Sequence, residues 1–158
     1  MTAVVSTRHE QPMSAYLALW NGEYSKIDSV SDSFVAYEPS APGGEVHGPD
    51  ALEAYVRELR TAFPDFTITP EALLEDAEIV MTEWTATGTH EGEFNGLPPT
   101  GRTFEHRGMS KFVIADGRIQ EERMYYDTTE FRRQLGLTFP AILGHLPKFA
   151  RYYVDRFA

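Results

Sequence analysis

Two alternating runs, residues 103–114 and 118–126, flank an Asp116-Gly117 pair, and this arrangement constrains the fold more than any other stretch of the chain. Asp-Gly between alternating segments is a strong hairpin signal, because both residues accept the positive φ that a type I′ turn demands. With a two-residue loop, Ala115 pairs with Arg118, Ile114 with Ile119, Phe112 with Glu121, Ser110 with Arg123, Gly108 with Tyr125 and His106 with Asp127. Side chains alternate across a strand, so the pairs from Ile114 onward share one face, apolar near the turn and polar at the far end. That gradient describes a cavity with a dry floor and a proton-transfer pair, His106 and Asp127, at its rim. A three-residue loop with a bulge shifts the register by one and brings His106 opposite Tyr126 instead. Asp127 also opens Asp127-Thr128-Thr129-Glu130, a relative of the capping box ahead of Phe131 and Gly136, so helix capping accounts for it equally well.

A chain of 158 residues fits one domain, large enough for a core and a small-molecule cavity. The absence of cysteine excludes disulfides, thiol nucleophiles, iron-sulfur clusters and Cys-ligated zinc. A net charge of -10 argues against nucleic acid and anionic membranes as partners. Residues 1–12 read as a flexible N-terminus without the apolar core of a signal peptide, and no stretch is long enough to cross a bilayer, so a cytoplasmic protein is expected. No close pair of histidines at ligand spacing supports a metal site, and none is expected.

Residues 13–24 carry Tyr16, Leu17, Leu19 and Trp20 at helical spacing, with Asn21-Gly22 as the stop. Pro49-Asp50 opens a second long helix whose inward face is Leu52, Tyr55, Val56, Leu59 and Phe63. Strands are expected at 34–37, 66–74, 79–90, 103–114 and 118–126; Gly88 and Gly108, inside two of them, read as bulges or bends. Apolar residues from Phe139 to Phe157 at helical spacing predict a C-terminal amphipathic helix over 139–158, kinked at Pro147. The sum is an α+β domain spanning 1–158, with helices on one face of a bent antiparallel sheet.

Several short motifs occur in a fixed order: Gly48-Pro49-Asp50-Ala51-Leu52, Ala62-Phe63-Pro64-Asp65, Gly88-Thr89-His90 with Gly92-Glu93-Phe94, Pro98-Pro99-Thr100-Gly101-Arg102, Asp116-Gly117-Arg118-Ile119, Glu121-Glu122, and Asp127 followed by Gln134-Leu135-Gly136. In this order the chain resembles the SnoaL-like polyketide cyclases (ester cyclases), within the NTF2-like and ketosteroid isomerase-like folds. The resemblance implies a cone-shaped curved sheet with helices on its concave side, enclosing one cavity and usually dimeric, with residues 139–158 as an extension. It also implies intramolecular aldol cyclisation or isomerisation of a carbonyl compound by acid/base chemistry, without cofactor.

On that resemblance Asp127 is the matching carboxylate and acts as base, His106 orients it or relays its proton, and His90 donates to the enolate oxygen. Tyr16, Trp20, Tyr55, Phe112 and Tyr125 shape the substrate wall. Arg123 stands where the family often has tryptophan, and the unbulged register points it into the cavity, which favours a substrate bearing a carboxylate or phenolate. Plainer roles exist for each: His90 as a partner of loop carbonyls, Glu121 and Arg123 as a sheet-edge ion pair, the aromatics as core. The same cone could also serve a non-catalytic small-molecule binder or a dimeric interaction module.

Overall fold

The computed structural model describes residues 8–157. Helix α1 (Glu10–Trp20) begins inside the stretch expected to be a flexible terminus; residues 1–7 lie outside the described residues. It buries Tyr16, Leu19 and Trp20. A 3-10 turn (Tyr24–Ser29) leads into β1 (Val30–Tyr37), and β2 (Glu45–His47) returns antiparallel to it. Helix α2 (Gly48–Ala62) starts with Pro49 in its first turn, where the missing N–H costs nothing, and buries Leu52, Tyr55, Val56 and Leu59. Phe63 follows, fully buried, so the expected face is the observed one.

Strands β3 (Thr67–Asp76), β4 (Ile79–Thr89), β5 (Thr103–Ala115) and β6 (Arg118–Tyr126) complete a six-stranded sheet of order β2-β1-β6-β5-β4-β3. It curls without closing. Every pairing is antiparallel except β1 with β6, which is parallel, so the sheet is mixed rather than wholly antiparallel. Pro70 is tolerated because β3 is an edge strand, and the register shifts beside it. Gly88 and Gly108 are not bulges, since the β4–β5 register runs unbroken through both. Gly108 instead makes room: a Cβ there would stand 2.4 Å from the Trp84 ring.

The Asp116-Gly117 turn forms as expected, with φ of 53° and 72°. Ala115 pairs with Arg118 and Ile114 with Ile119, after which the register slips so that Val113 faces Glu121 and Phe112 faces Glu122. Gln120 is the extra residue, and its Nε2 donates to the carbonyls of Ala115 (3.0 Å) and Arg118 (3.2 Å). The slip therefore arises within the strand and not in the loop. It overturns the facing of His106 and Asp127, because the ladder ends at Gly108 opposite Tyr126.

After β6 comes α3 (Thr128–Gln134), then a 3-10 turn (Ala141–His145) and α4 (Leu146–Phe157). Pro147 sits in the first turn of α4 instead of kinking a longer helix. Tyr152 and Arg156 bind Glu93, and the Tyr153 hydroxyl donates to the Gly96 carbonyl, so α4 is docked on the β4–β5 loop.

Candidate active site

The bulge at Gln120 decides which acid enters the interior. Ile119, Glu122 and Met124 are buried, while Tyr125 is 60% exposed. Arg123 does not point into the cavity: its Nε binds Glu121 at 2.7 Å and its guanidinium lies 3.8 Å from the centre of the Tyr37 ring. Glu121 is the acid that the unbulged register would have placed inside, and it too lies on this outer face. Arg123 and Tyr125 thus fall outside the cavity because one extra residue exchanges the two faces of the strand.

The cavity lies between α1 and the strands β3 to β6 and has a volume of about 350 Å3. Tyr16, Trp20, Trp84 and Phe112 supply its aromatic wall, and Glu122 and Ser110 its polar floor. The Tyr16 hydroxyl donates to Glu122 Oε2, and Trp84 Nε1 donates to Ser110 Oγ at 2.9 Å. Burial pushes the Glu122 carboxyl up to about 8, against the hydroxyls of Tyr16 and Ser110, which pull it down; the charge of Glu38 adds to the rise. Burial and the neighbouring Glu122 push the Tyr16 phenol well above its ordinary range. A carboxyl poised near neutrality beside an apolar wall can both take and return a proton.

A smaller chamber of about 40 Å3 adjoins the first, and Trp20, Ile68, Trp84 and Met124 line both. It holds Glu38, which accepts from the Tyr126 hydroxyl and from the Ser40 amide (2.8 Å). Burial raises the Glu38 carboxyl. His106 and Tyr55 line this chamber as well. The His106 ring is stacked between Phe104 and Tyr126, at 5.1 and 4.8 Å between ring centres, and desolvation lowers it to about 4.

The remaining expected residues stand elsewhere. Asp127 is exposed and caps α3, its Oδ1 accepting from the amides of Thr129 and Glu130 at 2.9 Å each. His90 is fully buried at the base of the β4–β5 loop, where its Nδ1 accepts from the Thr100 amide at 3.3 Å and its ring stacks on Phe63. It lines neither chamber. Desolvation lowers it to about 4. Tyr16, Trp20 and Phe112 are brought together with Glu122, and His106 and Tyr55 with Glu38, whereas His90, Arg123, Tyr125 and Asp127 join neither group. Glu122, Glu38, Ser110 and Trp84 were not singled out from sequence. A signal existed: Glu122 alternates in phase with Met124 and Tyr126, and Glu38 with Phe34 and Ala36.

Among the described residues, no group of three or more His, Asp or Glu side chains is placed to hold a metal ion, and no helix is long and apolar enough to cross a membrane. The sequence signature described as SnoaL-like polyketide cyclase matches residues 10–135. The chain belongs to the SnoaL-like polyketide cyclase family. It is 33% identical over 133 residues to aklanonic acid methyl ester cyclase DnrD of Streptomyces peucetius, covering 77% of this chain and 88% of that one. Identity to the nogalonic acid methyl ester cyclase of Streptomyces nogalater is 32% over 106 residues, covering 63% and 75%. The fold is that of TsrD from Streptomyces laurentii, with a TM-score of 0.71 at 23% identity over 81% of this chain and 94% of that one. The α+β cone expected from the resemblance is this fold, left open at its sheet edges. The SnoaL signature ends before α4, which lines neither chamber.

Proposed function

We propose that this cyclase closes a ring in a polyketide-derived methyl ester by intramolecular aldol addition, with Glu122 as the acid/base group. The observation that carries this reading is a buried, hydroxyl-bonded carboxyl on the floor of a mainly apolar, aromatic-walled cavity. Ionised Glu122 takes the proton from the carbon beside the ester carbonyl, and the freed electron pair forms the new bond to a ketone carbon in the same molecule. The carbonyl π pair moves to oxygen, which takes the proton back from Glu122, so the product is an isomer of the substrate. Tyr16 and Ser110 hold the carboxyl in place, and the wall folds the chain so that the two carbons meet.

The homologous enzymes name the substrates to try: aklanonic and nogalonic acid methyl esters. The wild-type protein should convert one of them to a ring-closed isomer of unchanged mass, resolved by chromatography. Glu122→Gln should lose that conversion. Conversion lost instead in Asp127→Asn, with Glu122→Gln active, would return the base role to the rim, where sequence reasoning had put it. Tight binding of either ester without conversion would favour the non-catalytic reading of the same cavity.

The reading extends to a cytoplasmic homodimer. Met81, Met109 and Tyr125 form an exposed apolar patch on the outer sheet face that a second copy could cover. Light scattering after gel filtration measures the assembly, and Met109→Glu should shift a dimer to monomer.

A further inference from the structure

Glu122 shares the interior with a second carboxyl that ring closure leaves idle. Strands β1 and β6 run parallel side by side, with Ala36 beside Glu122. Phe34 and Ala36 are buried, and so is Glu38, next in the same alternation just past the end of β1; both acids therefore project from one face of the sheet. Strand spacing and rise put their Cα atoms about 8 Å apart, diagonally across the pair. Trp20, Ile68, Trp84 and Met124 wall both chambers, and among the described residues no lysine or arginine lines either. Two acids so placed, out of water and without a cation, resist carrying charge together.

The donors decide which of the two holds the charge. Glu38 Oε1 accepts from the Ser40 amide at 2.8 Å and from the Tyr126 hydroxyl. A backbone amide can only donate, so it favours the carboxylate over the acid. Glu122 meets hydroxyls alone, those of Tyr16 and Ser110, and a hydroxyl accepts from a carboxylic acid as readily as it donates to a carboxylate. The other titratable groups around the pair are Tyr55 of α2 and His106 of β5 at the small chamber, and Glu10 and Glu71 on the exposed rim of the large one. Burial pushes the phenols of Tyr16, Tyr55 and Tyr126 up and lowers His106 to about 4, so none of these carries charge near neutrality, and solvent screens the two rim acids. We propose that Glu38 is a positioning residue for ring closure, whose charge, held beside Glu122 by Ser40 and Tyr126, makes Glu122 a stronger base toward carbon. The inference rests on Glu122 being the acid/base group. The rise of the Glu122 carboxyl to about 8, caused first by burial and then by the charge of Glu38, agrees with it. A neighbour that strengthens a base also delays its ionisation. Its removal therefore has two signatures: the rise of kcat/KM moves to lower pH, and the plateau above that rise falls. Damage to packing alone lowers the plateau and leaves the rise in place.

The test is a pH titration by carboxyl-carbon NMR on the intact protein carrying isotope-labelled glutamate, with the two buried signals assigned by their absence from Glu38→Gln or Glu122→Gln. In the wild-type protein Glu38 should ionise before Glu122, and Glu38→Gln should bring the Glu122 titration down by about one pH unit. In the same variant the rise of kcat/KM for the ester should move down with it, and the plateau should fall about threefold. Glu38→Asp keeps the charge and should leave Glu122 close to its wild-type titration. Glu122 ionising first in the wild-type protein overturns the proposal and needs no substitution at Glu38. An unmoved Glu122 signal in Glu38→Gln overturns it, and so does an equal shift in Glu38→Asp, which would mark the effect as one of packing. The titration uses no substrate, so it is read apart from the ring-closure assay of Glu122→Gln, in which retained activity would instead remove the base role of Glu122.

Discussion

Glu122 and Asp127 belong to one continuous run of chain, yet the fold treats the two carboxylates in opposite ways. Glu122 is 2% exposed, bonded to one phenol at the floor of an apolar cavity, and its carboxyl is raised to about 8. Asp127 faces solvent and spends its Oδ1 on two backbone amides that a helix would otherwise leave open. Burial without a countercharge tunes the first toward proton transfer; capping ties the second to the integrity of α3. A carboxylate's place in a motif therefore says less about its chemistry than the solvent it has lost.

The largest expected effect bears directly on this contrast. Glu122→Gln should lower kcat by about a hundredfold or more, and Asp127→Asn should leave it within about threefold. The reverse pattern would break the comparison. Next in size, Gly108→Ala forces a Cβ against the Trp84 ring and should cost about 2 kcal/mol by denaturant midpoint, since neither the ring nor the Tyr125 carbonyl at 2.9 Å can easily retreat. Tyr16→Phe should slow turnover about tenfold. Because the Tyr16 hydroxyl pulls the Glu122 carboxyl down, its removal should also move the rise of kcat/KM to higher pH than in the wild-type protein, where that rise should be centred near 8, as a base must be ionised to act. The smallest effect is on the rim: Asp127→Ala should cost about 1 kcal/mol of stability through the lost cap, with little change in turnover.

Stability against pH sharpens the same contrast. The Glu122 carboxyl is raised in the folded state, so the native protein binds a proton that the unfolded chain has released. That contribution is complete below the ordinary carboxylate range and is lost as pH climbs through about 8. His90 and His106 act from the other side: both are lowered to about 4, so the unfolded chain takes up protons first and stability falls as pH drops below the ordinary imidazole range. Thermal melts of Glu122→Gln should lose the decline that runs from the ordinary carboxylate range up to about pH 8 and keep the fall below the ordinary imidazole range.

Features set by neighbours in sequence were legible before the fold was known. The Asp116-Gly117 turn, the inward face of α2 and the cap at Asp127 all follow from local rules of turn, period and capping. The Gln120 bulge did not, because nothing near the turn demands it: it satisfies Ile119 at one end of β6 and Met124 at the other, both of which must be buried. The parallel pairing of β1 with β6 joins distant segments and leaves no local mark. Glu38 and Glu122 were given no site role, although Glu122 stands in a quoted motif, because glutamate is ordinarily a surface residue and only the packed interior shows that these two have lost their water.

The bulge also bears on how such cavities can diverge by descent. Loss of the codon for Gln120 would straighten β6 and leave Phe112 facing Glu122, while a straight strand that kept Gln120 would swing Glu121 and Arg123 inward and put an acid and a cation where the buried Glu122 now stands. Loss of that codon thus conserves the acid floor, whereas a lineage whose strand straightened around Gln120 would exchange one binding chemistry for another with no side chain of the strand replaced.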